Sequence, residues 1–230
     1  MNGGPFIESE PNREALAESD SDGPFLGSGV LNMICGGYPV ADTEFDKFFP
    51  MKARDLSAVH WTPVHVARRA AELAVHHPDD RVLDIGSGVG KFCIVGALTT
   101  NGHFVGVEQR EGLVGTARDF ASHFRVPRVQ FIHQNMVDLD WRTFDAIYLF
   151  NPFSENLDES IRIDDQCELN SDLYTKYVRS TQAKLTDLNI GTRVVTLNGF
   201  GGDFPPSYGL VHEEEIHFMP LQVWEKFRIF

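Results

Sequence analysis

An acid followed by three alternating glycines is the most suggestive feature of the chain for chemistry. Asp84 closes an apolar run, and Gly86, Gly88 and Gly90 follow it, with Ser87 between the first two glycines. Glycine allows a backbone to approach a ligand closely, and the first turn of a helix offers unpaired N–H groups. The pattern therefore predicts a strand, a tight turn and the start of a helix, arranged to hold a nucleotide-like ligand.

The spacing of these glycines separates two classes of nucleotide site. A dinucleotide fingerprint requires G-x-G-x-x-G, and its third glycine would fall on Lys91. The residues present, D-I-G-S-G-V-G, resemble motif I of the class I S-adenosylmethionine (SAM) methyltransferases instead. The resemblance implies SAM as the cofactor. A turn that binds no ligand is the alternative that this motif alone leaves open. The residues assigned to the cofactor are Asp84, Gly86, Ser87, Gly88 and Gly90.

A second acid supports this resemblance. Glu108 ends the next apolar run and stands about 20 residues beyond the glycine turn, where a carboxylate can accept hydrogen bonds from both ribose hydroxyls. The resemblance implies that Glu108 holds the ribose of SAM, with Gln109 beside it. A solvated acid at a strand end is the simpler alternative. D-I-G-S-G-V-G-K-F and the later G-V-E-Q also resemble the DOT1-type lysine methyltransferases. That similarity ends before the later motifs, so no histone substrate is implied.

Two further regions complete the expected cofactor site. Asn135 and Met136 follow a third predicted strand, where the resembled family often carries an acid that binds the adenine amine. An Asn carbonyl can accept the same bond, and the Met136 backbone would meet the ring. Trp61 and Thr62 precede a helix that begins at Pro63, and in the family the entry of this helix lies beside the cofactor. A helix N-cap role is sufficient to explain Thr62.

The tripeptide Asn151-Pro152-Phe153 follows a fourth predicted strand, F-D-A-I-Y-L-F. It resembles the N-P-P-Y/F motif IV of methyltransferases that act on planar amides or amines, although the second proline is absent. In that family the Asn side chain and the proline carbonyl hold the acceptor nitrogen, and an aromatic ring stacks on it. The resemblance implies catalytic roles for all three residues and places Asn151 beside the cofactor as well. An ordinary Asn-Pro turn is the alternative.

The remaining apolar runs predict the elements that position these residues. Helical patterns cover residues 110–124 and about 170–187, between the predicted strands. Extended runs at 208–218 and 221–229, separated by Met219-Pro220, indicate a hairpin at the sheet edge. With the resemblance, this order predicts an α/β, Rossmann-like class I methyltransferase fold. Its sheet is seven-stranded and mostly parallel, with an antiparallel C-terminal hairpin strand and helices on both faces.

Composition divides the chain into three parts. Residues 1–27 are rich in Glu, Asp, Ser, Gly and Pro and lack apolar periodicity, which predicts a mobile tail. Residues 28–56 gain apolar and aromatic residues and predict a helical segment packed on the domain. The resemblance makes residues 57–230 the SAM-binding methyltransferase domain. The acidic stretch 154–168 is expected to form a lid or an insertion near the site.

The bulk composition limits the partners and the compartment. A net charge of −13, without a Lys/Arg run, argues against bulk DNA or RNA as a partner. Cys35, Cys93 and Cys167 lie far apart and include no C-x-x-C pair, so neither a disulfide framework nor a zinc site is predicted. The N-terminus lacks the pattern of a signal peptide, and no apolar run is long enough to span a bilayer. A cytoplasmic protein without membrane association is therefore expected.

Together these features predict an enzyme that transfers a methyl group from SAM to a protein side chain or a small-molecule acceptor, with nitrogen favoured. The sulfonium is already activated, so the protein mainly positions and desolvates the acceptor. A base is needed only if the acceptor arrives protonated, and His60 and the acids of 154–168 are the candidates. No metal is expected, and the sequence does not indicate an oligomeric state. A catalytically silent SAM-binding protein and an NAD-dependent oxidoreductase are the alternatives.

Overall fold

A computed structural model describes residues 29–228, and the predicted tail at 1–27 lies outside these residues. Within this range the helices are α1 (Gly29–Cys35), α2 (Asp42–Phe45), α3 (Met51–Asp55), α4 (Ser57–His60), α5 (Val64–Ala74), α6 (Lys91–Thr99), α7 (Glu111–His123) and α8 (Ser171–Asp187). The strands are β1 (Arg81–Ile85), β2 (His103–Glu108), β3 (Val129–His133), β4 (Ala146–Phe150), β5 (Arg193–Leu197), β6 (Tyr208–Ile216) and β7 (Met219–Lys226). Short 3-10 turns include Met136–Asp138, Ser154–Asn156 and Glu159–Ile161.

The strands of the described residues form one seven-stranded sheet in the order β3-β2-β1-β4-β5-β7-β6. The first five strands in this order are parallel, and β7 runs antiparallel between β5 and β6. This arrangement confirms the predicted fold class. The strand order reverses between β1 and β4, and ligands of open parallel sheets bind at the carboxyl ends of strands beside such a reversal.

Two apolar clusters lie on opposite faces of the sheet, as alternate residues of each strand show. Along β1, Val82 belongs to the cluster that contains the buried residues of α5, α6 and α7. Leu83 and Ile85 belong to the other cluster, which includes Leu185 of α8. Both faces are therefore covered by helices, which explains why the parallel strands read as nearly continuous apolar runs.

The N-terminal helices pack against α6 and α7 through aromatic and charged contacts. Phe45 stacks on Phe120 of α7 with ring centroids 5.6 Å apart. Lys91, the first residue of α6, is 2 % exposed and pairs with Asp42 and Asp46. A cation at a helix N-terminus opposes the helix dipole. The two carboxylates offset this unfavourable charge and link the N-terminal segment to the glycine turn.

The predicted N-cap of α5 was wrong. Pro63 occupies the N-cap position, and no side-chain cap bond is made there. Instead, the carboxylate of Asp42 accepts a hydrogen bond from the Val64 N–H at 2.9 Å. The Thr62 hydroxyl is bonded to the Tyr148 hydroxyl at 3.0 Å. A distant acid thus performs the capping that the sequence assigned to the local threonine.

The hairpin turn also differs from the prediction. Met219 and Pro220 begin β7 and do not separate the two strands. The turn consists of His217 and Phe218, which have φ values of 51° and 61° between the paired residues Ile216 and Met219. Positive φ at both central residues is typical of a type I′ turn, whose twist matches that of the flanking strands.

Candidate active site

A cleft of about 120 Å³ opens at the carboxyl ends of β1, β2, β3 and β4. A smaller cavity adjoins it, and the two share His60, Trp61, Ile85, Gly86 and Phe150 as lining residues. The sequence-predicted residues that line the cleft are Gly86, Glu108, Gln109, Asn135, Met136, Asn151, Pro152 and Phe153. Thr62, Asp84 and Ser87 line the smaller cavity. The strand ends therefore bring most of the predicted residues together.

The Glu108 carboxylate is held in one orientation by main-chain groups. Glu108 is 5 % exposed, and its two oxygens accept hydrogen bonds from the Gly88 N–H at 3.1 Å and the Arg110 N–H at 2.9 Å. Burial raises the pKa of this carboxyl, and the Arg110 N–H and guanidinium oppose the rise. Each carboxylate oxygen keeps further acceptor capacity. The group is therefore fixed at the cleft and able to accept bonds from ligand hydroxyls.

Asp84 faces the smaller cavity and is 4 % exposed. Burial raises the pKa of its carboxyl to about 7, the Cys93 thiol opposes this by donating a hydrogen bond, and the Glu108 charge adds to it. A nearby cation would favour the ionised form of such a group. The smaller cavity therefore offers a carboxylate whose charge a cationic ligand would stabilise.

Gly88 and Gly90 are packed against protein side chains and line neither cavity. A Cβ built on Gly88 would lie 2.3 Å from Cζ3 of Trp61, and one built on Gly90 would lie 2.4 Å from Cε1 of Phe131. Both glycines have positive φ, and Gly90 is the N-cap residue of α6. Neither glycine borders the space where a ligand is expected. These positions need glycine for the backbone conformation and for the close approach of two rings.

The backbone of the glycine turn is less available to a ligand than expected. The N–H groups of Gly86 and Ser87 both donate to the Val107 carbonyl, and that of Gly90 donates to the Ser87 carbonyl. The Ser87 hydroxyl lies against Gly106, where an added Cβ would be 2.6 Å away. Within residues 29–228 this hydroxyl has no hydrogen-bond partner. The turn therefore shapes the site but has few free N–H donors for a ligand. Ser87 lines only the smaller cavity.

Trp61 covers the turn from the N-terminal side. Its indole N–H donates to the Ala53 carbonyl at 2.8 Å, which fixes the ring over Gly88. Trp61 lines both cavities, whereas Thr62 borders only the smaller one. The loop before α5 is thus part of the site wall.

Asn135 and Met136 line the cleft at the end of β3. The Asn135 side-chain oxygen accepts a hydrogen bond from the Val137 N–H at 3.0 Å, and its amide nitrogen donates to the Tyr177 hydroxyl at 3.0 Å. The amide is therefore oriented by two protein partners, and its oxygen retains one acceptor position. Tyr177, from α8, also lines the cleft.

Asn151 and Pro152 stand at the end of β4, directly across from the glycine turn. A Cβ on Gly86 would lie 3.4 Å from Cβ of Pro152. Asn151 has φ +37°, and its N–H donates to the Gly199 carbonyl at 3.1 Å. Among the residues that the structure describes, neither the Asn151 side-chain amide nor the Pro152 carbonyl has a hydrogen-bond partner. Two neighbouring residues that line the cleft therefore each carry an unpaired polar group.

Phe153 lines the cleft but is only 5 % exposed. Its ring stacks on Tyr177 with centroids 5.5 Å apart and an interplanar angle of 25°. One face of the ring is therefore occupied by the protein. In the N-P-P-Y/F pattern the aromatic follows a second proline, and here it comes one position earlier, which places it against the apolar cluster under α8.

The acidic stretch 154–168 forms the outer wall of the cleft. Ser154, Glu155, Asn156 and Ile163 contribute lining residues. Glu155 and Asp164 both bond the guanidinium of Arg110, at 2.8 and 3.0 Å. These two ion pairs anchor the stretch to the residue that follows Gln109.

His60 lies where the two cavities meet. Burial lowers the pKa of its imidazole, and the charge of Glu155 opposes this. The ring is therefore mostly neutral at pH 7 and able to accept a proton. Of the candidate bases, His60 and Glu155 are the ones that line the cleft.

The lining residues that sequence reasoning missed include Arg110, Gln134, Phe150 and Tyr177. Arg110 carries the ion pairs of the outer wall, and its only sequence signal is the excess of acids in 154–168. Tyr177 reads as an ordinary apolar-face residue of a helix. No pattern within α8 indicates that it reaches the cleft.

Comparison with known proteins agrees with this geometry. Residues 76–183 match the sequence family described as a methyltransferase domain. An RNA methyltransferase from Salinibacter ruber, solved with S-adenosyl-L-homocysteine, is 24% identical with a TM-score of 0.52, over 74% of this chain and 95% of that one. TrmN from Thermus thermophilus is 23% identical with a TM-score of 0.56, over 79% of this chain and 53% of that one. No curated protein sequence matches the chain.

The fold is that of the class I SAM-dependent methyltransferases, and the matched residues lie within it. The two solved structures establish the fold, and the family match establishes a methyltransferase domain within the chain. The chain therefore carries a methyltransferase domain, for which SAM is the cofactor.

The residues present fit this cofactor. Glu108 offers a fixed carboxylate with remaining acceptor capacity, and Asp84 offers a buried carboxylate suited to a cation. Gly86 leaves the gap between β1 and Pro152 free of a side chain. We expect Glu108 to hold the ribose, Asn135 and Met136 to border the adenine, and Asp84 to face the methionine end.

No helix within residues 29–228 is both long enough and apolar enough to cross a bilayer. No group of three or more His, Cys, Asp or Glu side chains there has the arrangement of a metal site.

Proposed function

We propose that the protein methylates a nitrogen atom on a protein side chain or a small molecule, and that Asn151 and Pro152 hold the acceptor. The observation that carries this proposal is the pair of unpaired polar groups at the end of β4. An amide side chain can accept a hydrogen bond from an N–H, and the neighbouring carbonyl can accept a second. Two acceptors side by side suit a nitrogen that carries two hydrogens.

The methyl group of SAM is already activated, and it transfers in line to a correctly placed nucleophile. The residues of the chain need to orient the nitrogen lone pair and to exclude water. Gly86 and Pro152 approach each other closely, so an acceptor bound at Asn151 would lie next to the methionine end of the cofactor site. Trp61 and Phe150 line both cavities there and supply the apolar surroundings.

The charge of the outer wall supports an acceptor without a phosphate backbone. The stretch 154–168 is rich in acids, and the chain carries a net charge of −13. Nucleic-acid affinity depends mainly on neutralising phosphates with Lys and Arg. One solved structure of similar fold is described as an RNA methyltransferase. An RNA acceptor is therefore the rival that the experiment must separate.

A protonated amine would need a base before it could accept a methyl group. His60 is the neutral group at the junction of the two cavities, and burial keeps its pKa low. We assign the proton-accepting role to His60, with Glu155 close enough to stabilise the resulting charge.

The test uses tritium-labelled SAM, the purified full chain and a cell extract. The transferred label should resist ribonuclease and should be either released by protease or found in the small-molecule fraction. Label that ribonuclease releases would overturn the proposed acceptor. Binding of SAM with no transfer to any fraction would indicate a silent SAM-binding protein.

The variant Asn151→Ala should reduce turnover about 100-fold, because a misplaced acceptor loses its alignment with the methyl group. Affinity for S-adenosylhomocysteine should change much less. Asn101→Ala, at an exposed loop residue distant from the cleft in the fold, is the matched control. Full turnover in Asn151→Ala would remove Asn151 from the acceptor site.

A further inference from the structure

Arg110 is the buried centre of an ion-pair cluster that joins two parts of the site. It is 3 % exposed, although arginine is seldom buried so completely. Its backbone N–H bonds one oxygen of Glu108, and its guanidinium lies 3.9 Å from the same oxygen. The other guanidinium nitrogens bond Glu155 at 2.8 Å and Asp164 at 3.0 Å. One cation therefore contacts the expected ribose carboxylate and two acids of the outer wall.

The two acids in turn organise the outer wall itself. The Glu155 oxygen that bonds Arg110 also accepts from the Ile163 N–H at 3.0 Å. The Asp164 oxygen that bonds Arg110 also accepts from the Gln166 N–H at 3.0 Å. The stretch contains only 3-10 turns and no longer helix or strand. Its conformation therefore depends on these carboxylates, which depend on Arg110.

We propose that Arg110 is a positioning residue that fixes residues 154–168 as a strap across the ribose end of the cleft. The strap joins the cofactor wall to the acceptor wall, because Ser154 to Asn156 follow directly after Asn151 to Phe153. This inference rests on the proposed placement of the cofactor at Glu108. In this role Arg110 slows release of the cofactor and keeps the acceptor groups of β4 in place, without touching the reacting atoms.

Chemistry specific to arginine is required for this role. A guanidinium has donors that point in several directions within one plane, so it can bond two carboxylates while it lies beside a third. A lysine ammonium has one charged centre on a flexible stem. Arg110→Lys should therefore retain the charge beside Glu108 and hold only one of the two wall acids at a time.

The first arm of the test measures hydrogen exchange of the cofactor-free chain. In Arg110→Ala the N–H groups of Ile163 and Gln166 should exchange at least about tenfold faster than in the wild type, since their acceptors lose their charge-assisted anchor. Arg110→Lys should give an intermediate rate. Exchange in the buried strand β4 should not change. Arg142→Ala, which removes an exposed arginine paired with Asp140, is the matched control.

The second arm measures dissociation of S-adenosylhomocysteine by stopped flow. The dissociation rate should rise about tenfold in Arg110→Ala and should be unchanged in Arg142→Ala. Glu155→Gln, which keeps the shape of the side chain, should raise the rate in the same direction. This variant preserves the test if Arg110→Ala does not fold.

The outcomes separate the strap from the proposed function. Unchanged exchange of Ile163 and Gln166 in Arg110→Ala would overturn the strap. Faster exchange with an unchanged dissociation rate would overturn its role in holding the cofactor. Failure of the wild type to bind S-adenosylhomocysteine would overturn the cofactor placement, while the exchange arm would still decide whether Arg110 holds the strap.

Discussion

The two walls of the cleft are built in different ways. On the wall formed by β1 and β2, main-chain groups fix the functional side chain, because Glu108 is bonded by two backbone N–H groups. On the wall beyond β4, side chains fix the backbone, because Glu155 and Asp164 hold the strap to Arg110. The first wall is therefore part of the sheet, whereas the second depends on a few ion pairs. A wall of the second kind can change its sequence, and hence its ligand, without altering the fold.

The largest effect that we expect is on the rigid wall. Gly88→Ala should lower the free energy of unfolding by about 3 kcal/mol, because an alanine at positive φ is strained and its Cβ would overlap Trp61. Chemical denaturation measures the change. Gly115→Ala, in an open position of α7, should instead be neutral or slightly stabilising. Equal stability of Gly88→Ala and the wild type would show that Trp61 is free to move away from the turn.

A smaller effect is expected when the carboxylate of that wall is removed. Glu108→Ala should weaken S-adenosylhomocysteine binding by about 1–3 kcal/mol, the scale of hydrogen bonds to a charged group. Calorimetry gives this value, and thermal unfolding should show that the fold survives. Glu111→Ala, two residues past Gln109 on the exposed side of α7, is the control. An unchanged dissociation constant would exclude Glu108 from the cofactor site.

The smallest effect at neutral pH should come from Asp84. Its pKa near 7 means that protons compete with a cationic ligand. Wild-type affinity for S-adenosylhomocysteine, whose amino group is cationic, should fall about tenfold from pH 8 to pH 6. Asp84→Asn should bind more weakly at pH 8 and show little dependence on pH. An equally steep dependence in Asp84→Asn would assign the titration to another group, and Asp119→Asn controls for a surface charge change.

The same group makes an opposite prediction for stability. The pKa of Asp84 is raised from 3.8 in the unfolded chain to about 7 in the folded one. The folded state therefore binds more protons in this range, and the stability of the cofactor-free protein falls as the pH rises through it. The Asn side chain of the Asp84→Asn variant does not ionise, so the variant does not lose stability in this way as the pH rises. Without cofactor, the variant should be more stable than the wild type at pH 8.

The fold could be predicted from the sequence because its signals are local. Apolar runs ending in Asp84, Glu108 and Asn151 mark the strands whose carboxyl ends meet, and the hairpin pattern marks the antiparallel edge. A residue at the carboxyl end of a parallel strand lies at the cleft whatever conformation the following loop adopts. For that reason Glu108, Gln109, Asn135 and Met136 line the cleft as expected.

The surroundings of some site residues depend on contacts that are distant in sequence. Whether Gly88 faces a ligand or a ring depends on Trp61, and the same is true of Gly90 and Phe131. Likewise, Tyr177 reaches Asn135 from a helix that carries no motif. The sequence around these residues does not predict which side chain packs against them.

The buried ion pair of Lys91 has a consequence for where the folding unit begins. The segment that matches the methyltransferase domain starts at residue 76, whereas Asp42 and Asp46 lie before it. A chain cut back to that boundary would keep a buried ammonium without its counter-charges, which is strongly destabilising. It would also lose Trp61 from the glycine turn. We infer that the smallest fragment able to fold on its own begins before Asp42. The N-terminal boundary of the folding unit therefore lies upstream of the boundary of the family match.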